Sequence, residues 1–98
     1  SEVSNYPNPF DSRKNGTTKI NFTLNQPAAV KIRIYDLLGY LVQEIGAEGI
    51  AGSNNNIVWD GTDAEGRKVT QGMYLAVIEA EGYNGDKGKV IRKIGVIH

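Results

Sequence analysis

The chain has 98 residues and 11 basic against 11 acidic side chains, with no formal net charge at pH 7 and no cysteine. This length supports one hydrophobic core and no second domain, and the balanced charge predicts no field that would attract nucleic acid. The lack of cysteine excludes disulfides, thiolate catalysis and cysteine-ligated zinc, and no apolar run approaches the ~20 residues of a transmembrane segment.

The first half of the chain alternates between apolar and polar residues. Residues 3–6 predict a short first strand. Residues 18–24 place Ile20 and two further apolar side chains on one face, and residues 30–35 repeat the pattern. Period-two alternation is typical of a strand with one buried face. Because Pro27 lies between the two runs, at a position where a missing N–H does least harm, we expect them to form an antiparallel pair.

The middle of the chain contains one clear turn and one tryptophan. Residues 36–39 begin with aspartate and end with glycine, which predicts a type I turn, and residues 40–45 continue as a strand. Residues 46–56 are rich in glycine and asparagine and predict a loop. Residues 57–59 then form a short strand, whose tryptophan we expect at the centre of the core.

The remaining turns and strands follow at regular intervals. Residues 63–66 predict a type I turn with a bulge, and residues 71–72 a second bend. Residues 73–81 are apolar on both faces, as in a central strand. Residues 84–86 turn the chain into a final strand at residues 89–97.

About seven short strands with turn residues between them predict an all-β fold, an antiparallel β-sandwich of two sheets. No segment carries the apolar stripe of an amphipathic helix. We expect residues 1–98 to form a single domain of this kind.

Catalytic groups are sparse. The one histidine is His98, the final residue of the chain, which is a poor place for a catalytic base. The carboxylates of Asp60 and Asp63, and those of Glu79 and Glu81, lack the facing arrangement across a cleft that glycosidases use. We therefore expect no enzymatic activity.

Asp60, Asp63 and Glu65 are weak candidates for a calcium site, because tight turns that carry carboxylates can collect hard cations. The segment lacks the remaining ligands and the register of an EF-hand. We interpret it as a hairpin turn and expect neither a metal nor another cofactor.

Five aromatic side chains, Tyr6, Phe10, Tyr35, Tyr40 and Tyr83, raise the alternative of a sugar-stacking platform. They are scattered over separate segments, which favours packing in the core and at its rim. A carbohydrate-binding module stays open as one alternative.

The last strand carries the one local charge asymmetry of the sequence. Lys87, Lys89, Arg92 and Lys93 surround a set of apolar residues. Lysine commonly protects an edge strand against aggregation, so an edge position alone accounts for this pattern. Recognition by a partner is the functional alternative.

Four segments resemble a known Ig-like module in their order and spacing. They read NYPNPF at 5–10, INFTL at 20–24, VKIRIYDLLG at 30–39 and WDGTDAEGRKVTQGMY at 59–74. Two related families share this pattern: the C-terminal sorting domain of type IX secretion and the FlgD-like Ig-like domain of the flagellar hook-capping protein. The last segment is in the fuller form typical of the hook-cap group.

The sorting resemblance implies a module at the C-terminus of a longer exported protein, without chemistry of its own. It implies transport through the periplasm to the cell surface, a secretion translocon and a sortase-like peptidase as partners, an N-terminal parent domain, and a cleavage region before Asn5. The recognition residues it implies are Lys89, Val90, Ile91, Arg92, Lys93, Ile94, Val96, Ile97 and His98. The alternatives are a structural or assembly module, as in the hook cap, and an accessory sugar-binding or spacer module of a secreted hydrolase.

Overall fold

The computed structural model describes residues 3–14 and 16–98, which form eight strands. The predicted cleavage region before Asn5 lies partly outside these residues. The strands are β1 (Val3–Tyr6), β2 (Phe10–Asp11), β3 (Thr18–Leu24), β4 (Ala28–Tyr35), β5 (Leu41–Gly49), β6 (Gly52–Trp59), β7 (Gly72–Gly82) and β8 (Lys87–Ile97).

The strands form two sheets that pack face to face. One sheet has the order β1-β3-β6, and the other has the order β2-β8-β7-β4-β5. All neighbours are antiparallel except the short β2, which pairs in parallel with the end of β8. The predicted all-β, Ig-like two-sheet sandwich is confirmed, with β2 as a strand beyond the expected seven. Among the described residues, no helix is long and apolar enough to cross a membrane.

The expected antiparallel pair of β3 and β4 is wrong. β3 lies between β1 and β6, whereas β4 lies between β5 and β7 in the other sheet. Both strands present apolar side chains to one core: Ile20 on β3 is 1% exposed and Ile32 on β4 is 0% exposed. The apolar faces of the two strands therefore pack toward each other across the core. The link at residues 25–27 crosses from one sheet to the other.

The loop expected at residues 46–56 is also wrong. β5 continues to Gly49 and β6 begins at Gly52, so only two residues connect the strands. The buried amide of Asn55 accepts a hydrogen bond from the Ile50 N–H at 2.8 Å and donates to the carbonyl oxygens of Ile50 and Gly52. Backbone pairing with β4 and β3 thus outweighs the turn-like composition of this segment.

Trp59 lies at the centre of the core, as predicted, and is 1% exposed. Its ring packs edge-on against Phe10 at a centroid distance of 5.6 Å and against Tyr74 at 5.7 Å. The indole Nε1–H donates to the carbonyl oxygen of Thr62 at 2.9 Å, so the one polar atom of the ring is satisfied. The tryptophan thereby joins both sheets and the segment that follows β6.

The turn at residues 63–66 has the predicted geometry. The Gly66 N–H donates to the Asp63 carbonyl at 3.0 Å, and the Asp63 N–H donates to the Arg67 carbonyl at 2.8 Å. Gly66 has a φ of 84°, the left-handed conformation of the bulge residue. The turn does not join two long strands. It closes the isolated antiparallel β-bridge between Thr62 and Lys68.

We expect Trp59→Ala to lower the free energy of unfolding by about 3–5 kcal/mol, because a large aromatic side chain leaves a cavity at the centre of a small core. Val58→Ala is the matched control, since Val58 is 46% exposed on the opposite face of the same strand. The control should lose less than about 1 kcal/mol. Urea unfolding followed by circular dichroism measures both, and equal losses would contradict the central position of Trp59.

We expect Gly66→Ala to destabilise the domain by about 1–2 kcal/mol, because a Cβ is disfavoured in the left-handed region. No heavy atom lies within 4 Å of the position that this Cβ would take, so backbone strain is the only cost. Gly88→Ala is the control, since Gly88 has equally open surroundings without a left-handed φ. Thermal unfolding should show a clear loss for Gly66→Ala alone, and a similar loss for both variants would rule out the turn geometry.

Candidate functional site

The sequence places the candidate recognition residues on β8, which is an edge strand over most of its length. β8 pairs with β7 from Lys87 to Val96, and its other side meets β2 only at Val96 and Ile97. The half of the strand nearer Lys87 therefore has no strand on its outer side among the described residues. β8 is thus an edge strand that carries lysines, an arrangement that opposes aggregation.

The structure divides the predicted recognition residues into two groups. Lys89, Ile91, Arg92, Lys93, Ile97 and His98 are exposed, and Val90 is half-buried. In contrast, Ile94 is 0% exposed and Val96 is 1% exposed, so both belong to the hydrophobic core. A partner of the folded domain can contact only the first group.

The lysines of this edge have acidic residues opposite them on β7 but no close ion pair among the described residues. Among the described residues, Lys87, Lys89 and Lys93 form no salt bridge. In the ladder, Glu81 lies opposite Lys87 and Glu79 lies opposite Lys89, and the Glu79 carboxylate accepts a hydrogen bond from Arg33, which also binds Glu44 at 2.8 Å. The lysine ammonium groups are therefore available to an external carboxylate.

Arg92 has two hydrogen bonds at the mouth between the two sheets. Its Nη1 donates to the carbonyl oxygen of Ile91 at 3.0 Å, and its Nε lies 3.4 Å from the carbonyl oxygen of Val3 on β1. The exposed guanidinium thus bridges the edge of one sheet to the edge of the other. This contact is long and solvated, so it contributes little to stability.

Asn8 is the residue of this region that the sequence interpretation missed. Its side-chain Nδ2 donates to the carbonyl oxygen of Lys93 at 3.0 Å, and its Oδ1 accepts from the N–H of Gly95 at 2.8 Å. The amide therefore binds the edge of β8 as a neighbouring strand would. Its position between Pro7 and Pro9, which restrict the backbone on either side of it, was the available signal.

The candidate calcium ligands are engaged within their own turn. The carboxylate of Asp63 accepts hydrogen bonds from the N–H groups of Glu65 at 2.9 Å and Arg67 at 3.0 Å, and the Arg67 side chain pairs with both acids. Asp60 accepts from the Thr62 N–H at 3.1 Å. Within the described ranges, no group of three or more acidic or histidine side chains could hold a metal ion.

The hydrogen bond from the Arg67 amide is the main cause that lowers the pKa of Asp63 below its usual value. A carboxylate with a lowered pKa in the folded state adds stability above its unfolded pKa of about 3.9. That contribution is lost as the pH falls through the lower folded pKa. The chemistry of Asp63 is therefore that of a turn-stabilising group.

The five aromatic residues do not form one platform. Phe10 is 1% exposed within the core. Tyr35 and Tyr40 flank the turn that follows β4, whereas Tyr83 lies in the β7–β8 turn at the opposite end of the sheet and donates to Glu48. Tyr6 is on β1 in the smaller sheet. A sugar chain would meet these rings only one or two at a time.

Comparison with solved structures shows the same fold in two proteins of Porphyromonas gingivalis and in FlgD. The alignment with dimeric latent PorU from Porphyromonas gingivalis has a TM-score of 0.77 and 22% identity over 97% of this chain and 9% of PorU. PorZ, an essential surface component of the type IX secretion system of P. gingivalis, gives 0.60 and 20% over 98% of this chain and 11% of PorZ. FlgD from P. aeruginosa gives 0.70 and 24% over 88% of this chain and 65% of FlgD.

At these identities the likeness establishes the fold, and in each case this chain spans less than two thirds of the other protein. No curated protein sequence matches the chain. The family model of the FlgD Ig-like domain matches residues 10–86, which is most of the sequence. The chain therefore belongs to the FlgD Ig-like domain family.

Proposed function

We propose that this domain is a non-catalytic sorting module that directs a longer protein through type IX secretion to the cell surface. The observation that carries the proposal is the extent of the structural likeness. The alignment with FlgD from P. aeruginosa covers 88% of the chain, whereas the alignments with PorU and PorZ cover 97% and 98%. The latter two alignments must therefore include β8, the strand with the candidate recognition residues.

The physical character of β8 supports a role in recognition. Its exposed lysines carry charges without partners in the described part of the chain, and its apolar Ile91 is 53% exposed beside them. Exposed charges contribute little to folding but accelerate an encounter with an oppositely charged partner. Substitutions at the exposed positions of such a strand alter the surface of the domain without altering the core beneath it.

Under this proposal the module has no reaction of its own. Its acidic side chains at residues 60–65 stabilise a turn, and the His98 ring nitrogen lies 3.3 Å from the carbonyl oxygen of Val69. The partners are a secretion translocon, a sortase-like peptidase and the parent domain to which the module is joined. The protein is exported through the periplasm and ends at the surface.

A structural or assembly module is the second candidate, and the family match favours it. The FlgD structure from Xanthomonas campestris is linked to hook capping in flagellar assembly, and FlgD from P. aeruginosa shares this fold over 88% of the chain. An assembly role would not need the charges of β8. The separation of the aromatic residues disfavours the third alternative, a sugar-binding accessory module.

Deleting the end of β8 is a poor test of sorting, because it would remove Ile94 and Val96 from the core together with the recognition residues. Charge reversal changes the recognition residues without removing core residues, since Lys89, Arg92 and Lys93 are all exposed.

We expect Lys89→Glu, Arg92→Glu and Lys93→Glu together to reduce surface display of a reporter fused ahead of the module by about tenfold or more, since favourable charge contacts become repulsive. The assay uses a bacterium with a type IX system and a signal peptide on the fusion. Reversal of Arg13, Lys14 and Lys19, exposed basic residues outside β8, is the control with the same change in net charge.

Antibody labelling of intact cells measures display, and thermal unfolding of the purified variants checks the fold. Sorting predicts full display with the control variant and retention in the periplasm with the β8 variant. Equal display of both variants would reject recognition through β8 and leave the assembly role. Failure of the unaltered module to bring any reporter to the surface would reject sorting itself.

A further inference from the structure

One half of the outer edge of β8 is closed and the other half is open. At the closed half, Asn8 binds the backbone of Lys93 and Gly95, and the Ser12 N–H donates to the Ile97 carbonyl at 3.0 Å. Residues 8–12 thus occupy the place of a neighbouring strand. No described residue takes that place beside Lys87, Lys89 and Ile91, apart from the Arg92 side chain on the Ile91 carbonyl.

The closed half identifies which backbone groups of the open half face outward. Successive residues of a strand direct their N–H and C=O groups to opposite sides. The outward groups at the closed half belong to Lys93, Gly95 and Ile97. Because the β7–β8 ladder has no register shift, the same alternation continues outward at Ile91, Lys89 and Lys87.

The space beside the open half is apolar on its inner side. Val3, Leu24 and Ala80 are half-buried hydrophobic residues at the margin of the core, and Val90 lines the same gap between the sheets. At the closed half, by contrast, the inward side chains of Ile94 and Val96 are fully covered. The core is thus incomplete at the place where β8 lacks a neighbour.

We propose that the open half of β8 binds an extended strand of a partner protein in which apolar and acidic side chains alternate. Hydrogen bonds to Lys89 and Ile91 would hold the backbone, as in other complexes formed by strand addition. Alternate side chains would then fill the gap beside Val90, and the side chains between them would lie next to Lys89 and Lys93. An acidic side chain fits the positions next to Lys89 and Lys93.

The positive charge also argues against a second copy of this chain as the partner. Symmetric pairing of two β8 edges would place lysines of one copy beside lysines of the other, and like charges on adjacent strands are destabilising. Arg92 must move from the Ile91 carbonyl when a strand binds. Its guanidinium is exposed, so this movement costs little and leaves the charge free for a carboxylate of the partner.

The inference rests on the proposed function only for the identity of the partner, which would be a component of the secretion machinery. The binding itself is measured with the purified chain, so it can fail or succeed independently of export. The probe is an end-capped heptapeptide of alternating valine and glutamate. Two control peptides are used. One alternates valine and lysine, and the other has the same valines and glutamates as the probe but with all valines placed before all glutamates.

The key variant is Ile91→Pro, which removes one outward N–H while leaving the bonds to β7 in place, as is tolerated at sheet edges. Ile91→Val keeps that N–H. We expect Ile91→Pro to weaken binding of the valine–glutamate peptide by about tenfold or more, through the lost hydrogen bond and the bulk of the ring, and Ile91→Val to change it by less than about twofold. Amide chemical shifts in NMR titrations give both the affinity and the location.

A charge variant keeps the test decisive if Ile91→Pro does not fold. Lys89→Glu with Lys93→Glu should exchange the preference, so that the valine–lysine peptide binds more tightly than the valine–glutamate peptide. Shift changes centred on residues 87–91 support the proposal. Equal binding of all three peptides, shifts located at another edge, or self-association of the chain without peptide would overturn it.

Discussion

The packing of Trp59 is the interaction on which the rest of the domain depends. Its ring contacts Phe10 at the start of the short β2 and Tyr74 on β7, and its N–H binds the segment after β6. Residues from both sheets and from the chain crossing between them therefore meet on one side chain. Because β2 is fixed through Phe10, the neighbouring Asn8 is held where it closes half of the β8 edge.

β8 therefore combines two roles that are separated along its length. Its last residues complete the core, and its first residues present charge and free backbone groups to solvent. An edge with unpaired backbone groups invites unwanted pairing, which exposed lysines oppose. In the proposed complex, the lysines that oppose pairing with a second copy would also favour a strand of opposite charge, so protection against aggregation and selection of a partner would be one property.

Much of the fold could be predicted from the sequence, because alternation at residues 18–24 and 30–35 defines which side chains are buried. Alternation does not define which strand lies beside which, and the pairing of β3 with β4 was wrong for that reason. The glycine- and asparagine-rich composition of residues 46–56 predicted a loop, but the pairing of β5 with β4 and of β6 with β3 outweighed that tendency. The charge of β8 was visible in the sequence, whereas its closure by Asn8 depends on a contact across 85 residues.

The fold that this chain shares with PorU, PorZ and FlgD is defined by its core. The core positions must be kept in every member that shares the fold, while an edge strand can carry different side chains at little cost in stability. A common sandwich therefore does not determine a common partner. Under the proposal for this chain, the exposed residues in the first half of β8 would select the partner, beside the part of the strand that has no neighbouring strand among the described residues. Binding there would complete the core, so recognition and a gain in stability would come from the same contact.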